Sequence, residues 1–311
     1  MKASTHLDAP PPPSPRPLVT VGIPAYNEKR FIGQAIESVL TQTFTDFELL
    51  ISDDASSDGT AEICTEFAAR DRRIRLVRQS RNLGPFLNLK YVTDHATGAL
   101  LVWLAHDDML DSTYLEECVR QLKSRPHDVL VSTDFKIIDE TGKLLRVEFL
   151  AGIRADIPWK RRRAEFFRFP VYSNAFYSFY GMMQTDAGKQ MFGQLKRPTY
   201  MSQIELPVLA RLATIGEISS FASATRYYRR VSTSLYHTEQ KSIMGKSSLR
   251  RIAIQARHFG KLIADQVSVL LHSSLSPQAK IGIMLHLTYY YSVKCAVILA
   301  RGRQPGCQAD V

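Results

Sequence analysis

Two adjacent carboxylates, Asp107 and Asp108, end the apolar run that extends from Ala99 to Ala105. Because no Lys or Arg stands beside them, they repel each other unless a cation or a hydrogen-bond network holds them. Hard divalent cations such as Mg²⁺ bind oxygen ligands of this kind. Asp is also a preferred residue at the start of a helix. The pair alone therefore leaves two interpretations open, a divalent metal site and a helix cap.

Two further polar loops follow apolar runs in the same way. Asn27 comes after the run from Leu18 to Ile23, and a second carboxylate pair, Asp53 and Asp54, comes after the run from Phe47 to Ile51. Each run predicts a buried strand. If these strands are parallel, the three loops lie at the carboxyl edge of one sheet, where open α/β sheets bind ligands. Three polar loops at one edge favour a ligand site over three separate caps.

The segments between the strands carry the apolar period of helices. With a short third strand at Ile74 to Val77, strand and helix alternate four times within about the first hundred residues. This alternation predicts an α/β fold, a Rossmann-like and mostly parallel sheet flanked by helices. Farther along, Val129 to Thr133 predicts a strand and Asp139 to Lys143 a hairpin turn. The basic run from Trp159 to Arg163 predicts a solvated helix face, with contact to an anionic acceptor or membrane as the alternative.

Composition limits the class of protein. With 311 residues, 45% of them hydrophobic, the chain can fill a core, which excludes overall disorder. The net charge of +10 attracts anions, but no zinc-finger, basic-zipper or aromatic RNA-binding signature accompanies it, so we expect no nucleic acid partner. Four cysteines without paired or metal-like spacing predict reduced thiols, as in a cytosolic protein. The Pro-rich residues 1–17 predict a disordered leader.

Five short motifs resemble the family-2 inverting glycosyltransferases in their order and spacing. They are Val21–Glu28 (VGIPAYNE), Ser38–Thr43 (SVLTQT), Ser52–Thr60 (SDDASSDGT), Arg81–Gly84 (RNLG) and Ala105–Asp108 (AHDD). Each motif is weak by itself, whereas five in this order make a specific signature. The resemblance extends over residues 17–236 and is dense up to about residue 118.

The resemblance implies a GT-A glycosyltransferase fold that binds a nucleoside-diphosphate sugar, with a UDP-sugar preferred. It assigns nucleotide-sugar contacts to Pro24, Ala25, Tyr26, Glu28, Asp53, Asp54, Asn82, Gly84, His106, Asp107 and Arg229. In the family, one of the carboxylates at Asp53 and Asp54 hydrogen-bonds the base. The family's Asp-x-Asp motif falls on residues 105–107, and Ala105 departs from it. Binding of Mg²⁺ or Mn²⁺ is therefore expected at Asp107, with Asp108 as the second ligand.

Two later segments supply the remaining expected roles. Glu205 occupies the place of the family's catalytic carboxylate, so the resemblance implies that it takes the proton of the acceptor hydroxyl. The alternatives are a first-turn Glu stabilised by the helix dipole and Glu217 as the base, although a turn position suits Glu217 better. The segment from Tyr227 to Ser234 resembles the family's closing segment, in which Arg229 or Arg230 is expected to contact the diphosphate.

The sequence thus predicts three parts. Residues 18–238 are expected to form the glycosyltransferase domain, with a nucleotide-sugar half at 18–125 and an acceptor half at 126–238. Residues 239–311 predict a helical C-terminal appendage. Within it, the apolar stretch from Ile281 to Ala300 is expected to pack on the domain or lie at a membrane interface, with a membrane span as the alternative.

The expected function is metal-dependent, inverting sugar transfer to a glycan or a lipid-linked acceptor, in cell-surface polysaccharide or glycolipid synthesis. The expected place is the cytoplasm, at the inner face of the plasma membrane, with possible peripheral membrane contact. A sugar-nucleotide nucleotidyltransferase is the alternative enzyme, although the loop at Pro24–Glu28 is not the Gly-rich, Arg-containing loop that such enzymes need. A non-catalytic sugar- or lipid-binding relative is the other alternative, and Ala105 keeps it open.

Overall fold

The structure is a computed structural model, and it describes residues 16–168, 174–195 and 204–231, with short pieces between residues 264 and 285. The predicted leader falls almost entirely outside the described residues, and so does most of the predicted C-terminal appendage. Within the part that is described, no helix is both long enough and apolar enough to cross a membrane. Most of the stretch from Ile281 to Ala300 lies outside that part.

The first four strands form the parallel sheet that the apolar runs predict. They are β1 (Val19–Ala25), β2 (Phe47–Asp53), β3 (Ile74–Arg78) and β4 (Leu100–Trp103). Their order is β3-β2-β1-β4, and each neighbouring pair is parallel. Strands β1 and β2 are buried almost throughout, which is why they are continuous apolar runs rather than alternating ones. The carboxyl ends of β1, β2 and β4 therefore meet at one edge.

Helices cover both faces of the sheet. They are α1 (Ile32–Leu40), α2 (Thr60–Arg70), α3 (Pro85–His95), α4 (Tyr114–Ser124), α5 (Trp159–Arg168), α6 (Thr185–Gln194) and α7 (Glu205–Ile215). Side chains of α1, α2 and α4 share one apolar core with β1 and β2, and those of α3, α6 and α7 fill the core on the other face. Cys64 and Cys118 lie buried and free in the first core.

The second half of the chain extends the sheet with strands of both directions. These are β5 (Met109–Leu110), β6 (Asp128–Ile138), β7 (Leu144–Glu148), β8 (Met182–Gln184) and β9 (Glu217–Arg229). The order continues from β4 as β8-β6-β9-β5, and β7 pairs with the second half of β6 across the predicted hairpin turn. Strand β8 is antiparallel to β4 and β6, whereas β9 is parallel to β6 over nearly its whole length. The sheet is mixed, with most of its paired residues in parallel register.

Three features of this second half differ from the sequence-based expectations. Strand β6 is longer than predicted, because it runs on without a break into the hairpin arm. Strands β8 and β9 were not predicted at all, since β8 has three residues and β9 lacks a regular apolar alternation. The basic run of α5 is not wholly solvated: Arg162 is buried, donates 2.6 Å to the carbonyl oxygen of Ile218 and pairs with Glu217 at 2.6 Å.

Candidate active site

The loops after β1 and β2 are tied together at the carboxyl edge of the sheet. The backbone N–H of Asn27 donates to Ser56 Oγ over 2.9 Å, and that of Glu28 donates to Thr60 Oγ1 over 2.8 Å. Asn27 and Ala55 adopt φ of 47° and 59°, the left-handed region that non-glycine residues seldom enter. These bonds fix the tight path of the first loop, from which Tyr26 projects with 43% of its surface exposed.

Asp54 supports a third loop with both of its carboxylate oxygens. They accept the backbone N–H groups of Leu83 at 2.7 Å and Gly84 at 2.9 Å. Gly84 has a φ of 84°, a conformation that its lack of a Cβ permits. Asn82 in the same loop is exposed. The arrangement makes Asp54 the support of the Asn82–Gly84 loop.

Asp53 has one carboxylate oxygen in use and one without a partner. Its side chain is fully buried, and Oδ2 accepts the backbone N–H of Ser56 at 3.2 Å with Arg78 Nε 3.6 Å away. No described residue hydrogen-bonds Oδ1. A buried acceptor left without a donor costs about 1–3 kcal/mol. Within the predicted base-binding pair, this oxygen is thus the one that the described residues leave unsatisfied.

His106 connects the end of β1 to the acidic pair. Its Nδ1 lies 3.2 Å from the carbonyl oxygen of Pro24, so the hydrogen must sit on Nδ1 for this bond to form. Glu28 is buried next to this loop and accepts Arg30 Nε at 3.2 Å. His106 and Glu28 therefore both have protein partners at the rim of the site, where the resemblance placed nucleotide-sugar contacts.

Asp108 is held by two arginines from β9. Its side chain is buried, Oδ2 pairs with the guanidinium of Arg226, and Oδ1 accepts the backbone N–H of Arg229 at 2.8 Å. Arg226 in turn lies 4.0 Å from the centre of the Tyr180 ring. Both oxygens of this expected metal ligand thus have protein donors, which compete with a cation for its lone pairs.

Asp107 has the opposite environment. It is partly exposed, and only its own backbone N–H reaches its carboxylate among the described residues. Burial, and then the negative charge of Asp108, raise the pKa of Asp107 to about 6, while the charge of His106 acts in the opposite sense. A carboxylate that is uncompensated by protein groups fits a divalent cation, which would supply the missing positive charge.

The Arg229 side chain is buried and its guanidinium turns towards the protein. Its Nε donates to the Asp107 carbonyl oxygen over 2.9 Å and its Nη2 to Gln34 Oε1 over 2.7 Å. Its Nη1 lies 3.3 Å from the carbonyl oxygens of both Asp139 and Glu140. All three guanidinium nitrogens are therefore used inside the protein, in contrast to the phosphate contact that the resemblance implied. The neighbouring Arg230 is exposed.

Glu205 begins α7 and faces the same region. Together with burial, which has the larger effect, its negative charge raises the pKa of Tyr180, the residue whose ring stacks on Arg226. Tyr180 and Arg226 also line a small cleft, together with Tyr114, Ser132, Thr133, Phe135, Tyr177 and Tyr228. The rival base, Glu217, lies elsewhere and pairs with Arg162.

The site thus brings together most residues that the sequence singled out and adds others that it did not. Gln34, Arg78, Tyr180 and Arg226 carry no motif, and only their contacts across the sheet reveal them. Within the ranges described, no group of three or more His, Cys, Asp or Glu side chains could hold a metal by itself. A cation at Asp107 would therefore take its other ligands from substrate phosphates and water.

Proteins of known sequence with similar stretches are named as glycosyltransferases. The chain is 35% identical over 127 residues to the putative glycosyltransferase EpsE of Bacillus subtilis. The aligned stretch covers 40% of this chain and 46% of EpsE. It is 34% identical over 130 residues to the chondroitin synthase of Escherichia coli. This aligned stretch covers 42% of this chain and 19% of that enzyme. The chain thus spans less than half the length of these relatives.

Two solved structures share the fold at low sequence identity. Staphylococcus aureus TarS in complex with UDP-GlcNAc superposes with a TM-score of 0.66 at 16% identity, over 88% of this chain and 72% of the TarS chain. The mannosyltransferase PcManGT of Pyrobaculum calidifontis, in complex with GDP-Man and Mn²⁺, gives a TM-score of 0.57 at 17% identity, over 97% and 79% of the two chains. These likenesses show a GT-A type of fold. Since the sequence model "Glycosyl transferase family 2" matches residues 20–185, more than half of the chain, the protein belongs to this family.

Proposed function

We propose that this enzyme is a metal-dependent, inverting glycosyltransferase that moves a sugar from a nucleoside-diphosphate sugar to a hydroxyl of a glycan or lipid-linked acceptor. The observation that carries the proposal is the contrast within the acidic pair. Asp108 is saturated by protein donors, whereas Asp107 presents a carboxylate that no side chain of the described residues hydrogen-bonds. A carboxylate without a positively charged protein partner, at the edge of the sheet where ligands bind, can bind a divalent cation that also binds a diphosphate.

Donor recognition is assigned to the loops after β1, β2 and β3. We assign the hydrogen bond from an N–H of the base to Asp53 Oδ1, which is buried without a partner among the described residues, and an apolar contact with the base to the exposed ring of Tyr26 in the loop after β1. Uracil has such an N–H, and we propose a UDP-sugar as the donor. The complex of TarS with UDP-GlcNAc supports this choice, although the complex of PcManGT with GDP-Man shows that the fold also accommodates guanine.

Asp107 would hold Mg²⁺ or Mn²⁺, and the Mn²⁺ named with PcManGT supports this assignment. When bound, the cation neutralises the negative charge that develops on the leaving diphosphate. We assign Asp108 and Arg229 a different role from the expected one. Asp108 anchors the acidic loop to β9, and Arg229 holds the Asp107 main chain, so both position the carboxylate of Asp107.

Glu205 is proposed as the catalytic base. The acceptor hydroxyl gives its proton to the Glu205 carboxylate as its oxygen forms a bond to the anomeric carbon. The bond from that carbon to the diphosphate oxygen breaks on the opposite face, and its electron pair leaves with the diphosphate. The support for this assignment is that Glu205, at the half-buried start of α7, lies close enough to Tyr180 for its charge to raise the pKa of that phenol, and the Tyr180 ring contacts the Arg226 guanidinium that holds Asp108.

The wider setting is proposed from the same assignment. We place the enzyme in the cytoplasm at the inner face of the plasma membrane, in the synthesis of a cell-surface polysaccharide or glycolipid. The similarity to a chondroitin synthase, by its name an enzyme that makes a polysaccharide, supports this setting. We keep residues 18–125 as the proposed nucleotide-sugar half and residues 126–238 as the acceptor half.

Incubation with a panel of radiolabelled nucleotide sugars and Mn²⁺ tests the function. We expect transfer or slow donor hydrolysis that needs the metal and falls at least 100-fold in Asp107→Asn, because the charge stabilising the leaving group is lost. Asp94→Asn is the matched control, since Asp94 lies at the far end of α3 and pairs only with Lys90 on the surface. Tight donor binding without any turnover would overturn the proposal and identify a non-catalytic binding protein.

A further inference from the structure

Two adjacent tyrosines of β9, Tyr227 and Tyr228, lie on opposite faces of the strand. Side chains of a strand alternate between its faces, and the register with β6 is regular here, so Tyr228 shares a face with Arg226. Arg226 pairs with Asp108, and it lines the small cleft together with Tyr228. The ammonium nitrogen of Lys136 lies 5.3 Å from the centre of the Tyr227 ring. Of the two tyrosines, Tyr228 is therefore the one on the side of the acidic pair.

The cleft beside Tyr228 is lined by aromatic rings and hydroxyl groups. The Tyr177 ring meets the Tyr228 ring edge-on, with 6.0 Å between the ring centres. Tyr180 lies under the Arg226 guanidinium, and Ser132 of β6 adds an aliphatic hydroxyl. The cleft has room for a single water-sized group, which is the size of one sugar hydroxyl. Its lining thus suits one small polar group rather than a whole ring.

Two polar groups of this lining have no hydrogen-bond partner within the described part of the chain. Arg226 is buried, and its Nε has no acceptor there, in contrast to the Nη2 that pairs with Asp108. The half-buried Tyr228 makes ring contacts, but no described residue hydrogen-bonds its hydroxyl. A guanidinium N–H donates, and a phenol hydroxyl both donates and accepts. A ligand hydroxyl, which also does both, can satisfy the two groups.

Charged residues with different proposed roles act on the two tyrosines of the cleft. Burial, and then the negative charges of Asp108 and Asp107, raise the pKa of Tyr228. Burial, and then the negative charge of Glu205, raise the pKa of Tyr180. In an inverting transfer the acceptor oxygen attacks opposite the leaving diphosphate, so the transferred sugar lies between the group that holds the diphosphate and the base. A cleft close to both groups borders this sugar.

On the basis of the proposed function, we propose that the Tyr228 hydroxyl and Arg226 Nε bind one hydroxyl group of the transferred sugar in this cleft. Tyr228 thereby contributes to the choice of sugar, because a site built to hydrogen-bond a hydroxyl group rejects an analogue that lacks it. This sugar is that of the donor rather than the acceptor. The acidic pair, at the proposed diphosphate end of the donor, is what acts on Tyr228, whereas Glu205 acts on Tyr180.

The variant Tyr228→Phe tests this assignment, because it removes only the hydroxyl. Its substrate is the donor that wild-type protein hydrolyses fastest with Mn²⁺ among UDP-glucose, UDP-galactose, UDP-GlcNAc and GDP-mannose. We expect the Kd of that donor, measured by calorimetry, to rise about three- to tenfold, the effect of one lost hydrogen bond between neutral groups. The kcat/KM for hydrolysis should fall by at least the same factor.

Two controls separate the sugar contact from a general effect on the site. The Kd of the matching nucleoside diphosphate with Mn²⁺ should stay within about twofold of wild type in Tyr228→Phe, since that ligand carries no sugar to contact. Tyr227→Phe removes a hydroxyl on the opposite face of β9 and should leave both Kd values unchanged.

Deoxy analogues of the same donor identify the hydroxyl group that is bound. The analogue that lacks this group should bind wild type and Tyr228→Phe equally well, whereas the other analogues should keep the three- to tenfold difference. The comparison is a double-mutant cycle in which one of the two altered groups belongs to the substrate.

Four results would overturn the assignment. The first is an unchanged donor Kd in Tyr228→Phe. The second is an equal loss of affinity for donor and nucleoside diphosphate, which would make Tyr228 a support of the acidic loop. The third is a difference that persists with every deoxy analogue. The fourth is a fall in Tm of more than about 5 °C, which would show that the fold itself satisfies the hydroxyl. Wild-type protein that binds none of the four donors would instead contradict the proposed function, so the two failures are distinguishable.

Discussion

At the residue scale, the two carboxylates of the acidic pair have different surroundings: Asp108 is paired within the protein and Asp107 is not. Asp108 is satisfied by Arg226 and by the backbone of Arg229, and its burial is therefore compatible with a stable fold. Asp107 lacks such compensation, and burial, followed by the negative charge of Asp108, raises its pKa to about 6. A carboxylate placed in this way lowers the stability of the folded protein when no cation is bound, which is typical of residues at functional sites.

We predict that Asp107→Asn stabilises the metal-free enzyme although it abolishes transfer. The ionised carboxylate is disfavoured in the folded state, so its removal should gain about 1–2 kcal/mol at neutral pH after allowance for its partial exposure. For a domain of this size each kcal/mol raises Tm by about 2–4 °C. Thermal unfolding at pH 7.5 with a chelator present measures the difference between the variant and wild type.

The pH dependence of this difference has a defined sign. The folded pKa is about 6, above the ordinary value of 3.8. The folded protein therefore binds the proton more tightly, and the penalty is absent below about pH 4, grows between about pH 4 and 6 and is fully present above. The Tm advantage of Asp107→Asn should disappear at pH 4 and shrink at pH 7.5 when Mn²⁺ is added. An advantage that is independent of pH and of metal would contradict this interpretation.

How much of the site is visible in the sequence depends on where each residue's partners lie. Asp53 and Asp107 could be predicted because each stands directly after an apolar strand run, so local pattern and position agree. The separate roles of the two residues within each carboxylate pair could not be predicted from the sequence. They depend on donors far along the chain: Gly84 for Asp54, and Arg226 for Asp108. The family resemblance marked Arg229 but implied a phosphate contact, since its inward direction follows only from the register of β9.

At the element scale, β9 is the strand that ties the acidic loop to the second half of the sheet. Of the strands that pair with β6, β9 shares the longest register with it. Strand β9 also pairs with β5 next to the acidic loop and carries both arginines that hold Asp108. The sequence predicted the first four strands because they are buried runs. It did not predict β9, because Glu217–Arg229 contains three Ser, two Arg, one Thr and one Glu without a regular apolar alternation. The stability of this strand comes from long-range pairing.

We predict that Arg229→Lys lowers both activity and stability. A lysine keeps the charge, but its single ammonium cannot reach the Asp107 carbonyl, Gln34 and the hairpin turn together. We expect kcat/KM to fall about 10- to 100-fold, because a displaced Asp107 misaligns the diphosphate, and stability to fall by about 2–3 kcal/mol. Steady-state kinetics, Mn²⁺ titration and thermal unfolding measure these effects.

Arg230→Lys is the matched control for this prediction, because Arg230 is the exposed neighbour of Arg229. It should leave stability unchanged. If Arg229→Lys instead retained full stability and Mn²⁺ affinity and raised only the KM for donor, the phosphate contact implied by the family resemblance would be correct, and the positioning role would be wrong.

At the scale of the whole molecule, the mixed sheet joins two halves of different character. The parallel half could be predicted because four strand-helix units repeat one local pattern. Strands β8 and β9 of the second half could not be predicted from the sequence, since their pairing is set by contacts between residues distant in sequence. Ligand binding at the shared edge should stabilise both halves together, because the end of β1, through Pro24, and the arginines of β9 contact the same acidic loop.

We predict that UDP with Mn²⁺ stabilises the entire domain and that Asp53 carries the base-dependent part of this effect. At 100 times its Kd a ligand adds about 2.7 kcal/mol, which raises Tm by about 5–10 °C. Asp53→Ala removes the buried acceptor, and the loss of a charge-assisted hydrogen bond of about 1.5–3 kcal/mol should reduce the shift at the same concentration to less than half. The shift produced by Mn²⁺ with inorganic diphosphate should stay equal to that of wild type. Asp46→Ala, at the exposed approach to the other end of β2, is the control, and a full UDP-induced shift in Asp53→Ala would remove Asp53 from base recognition.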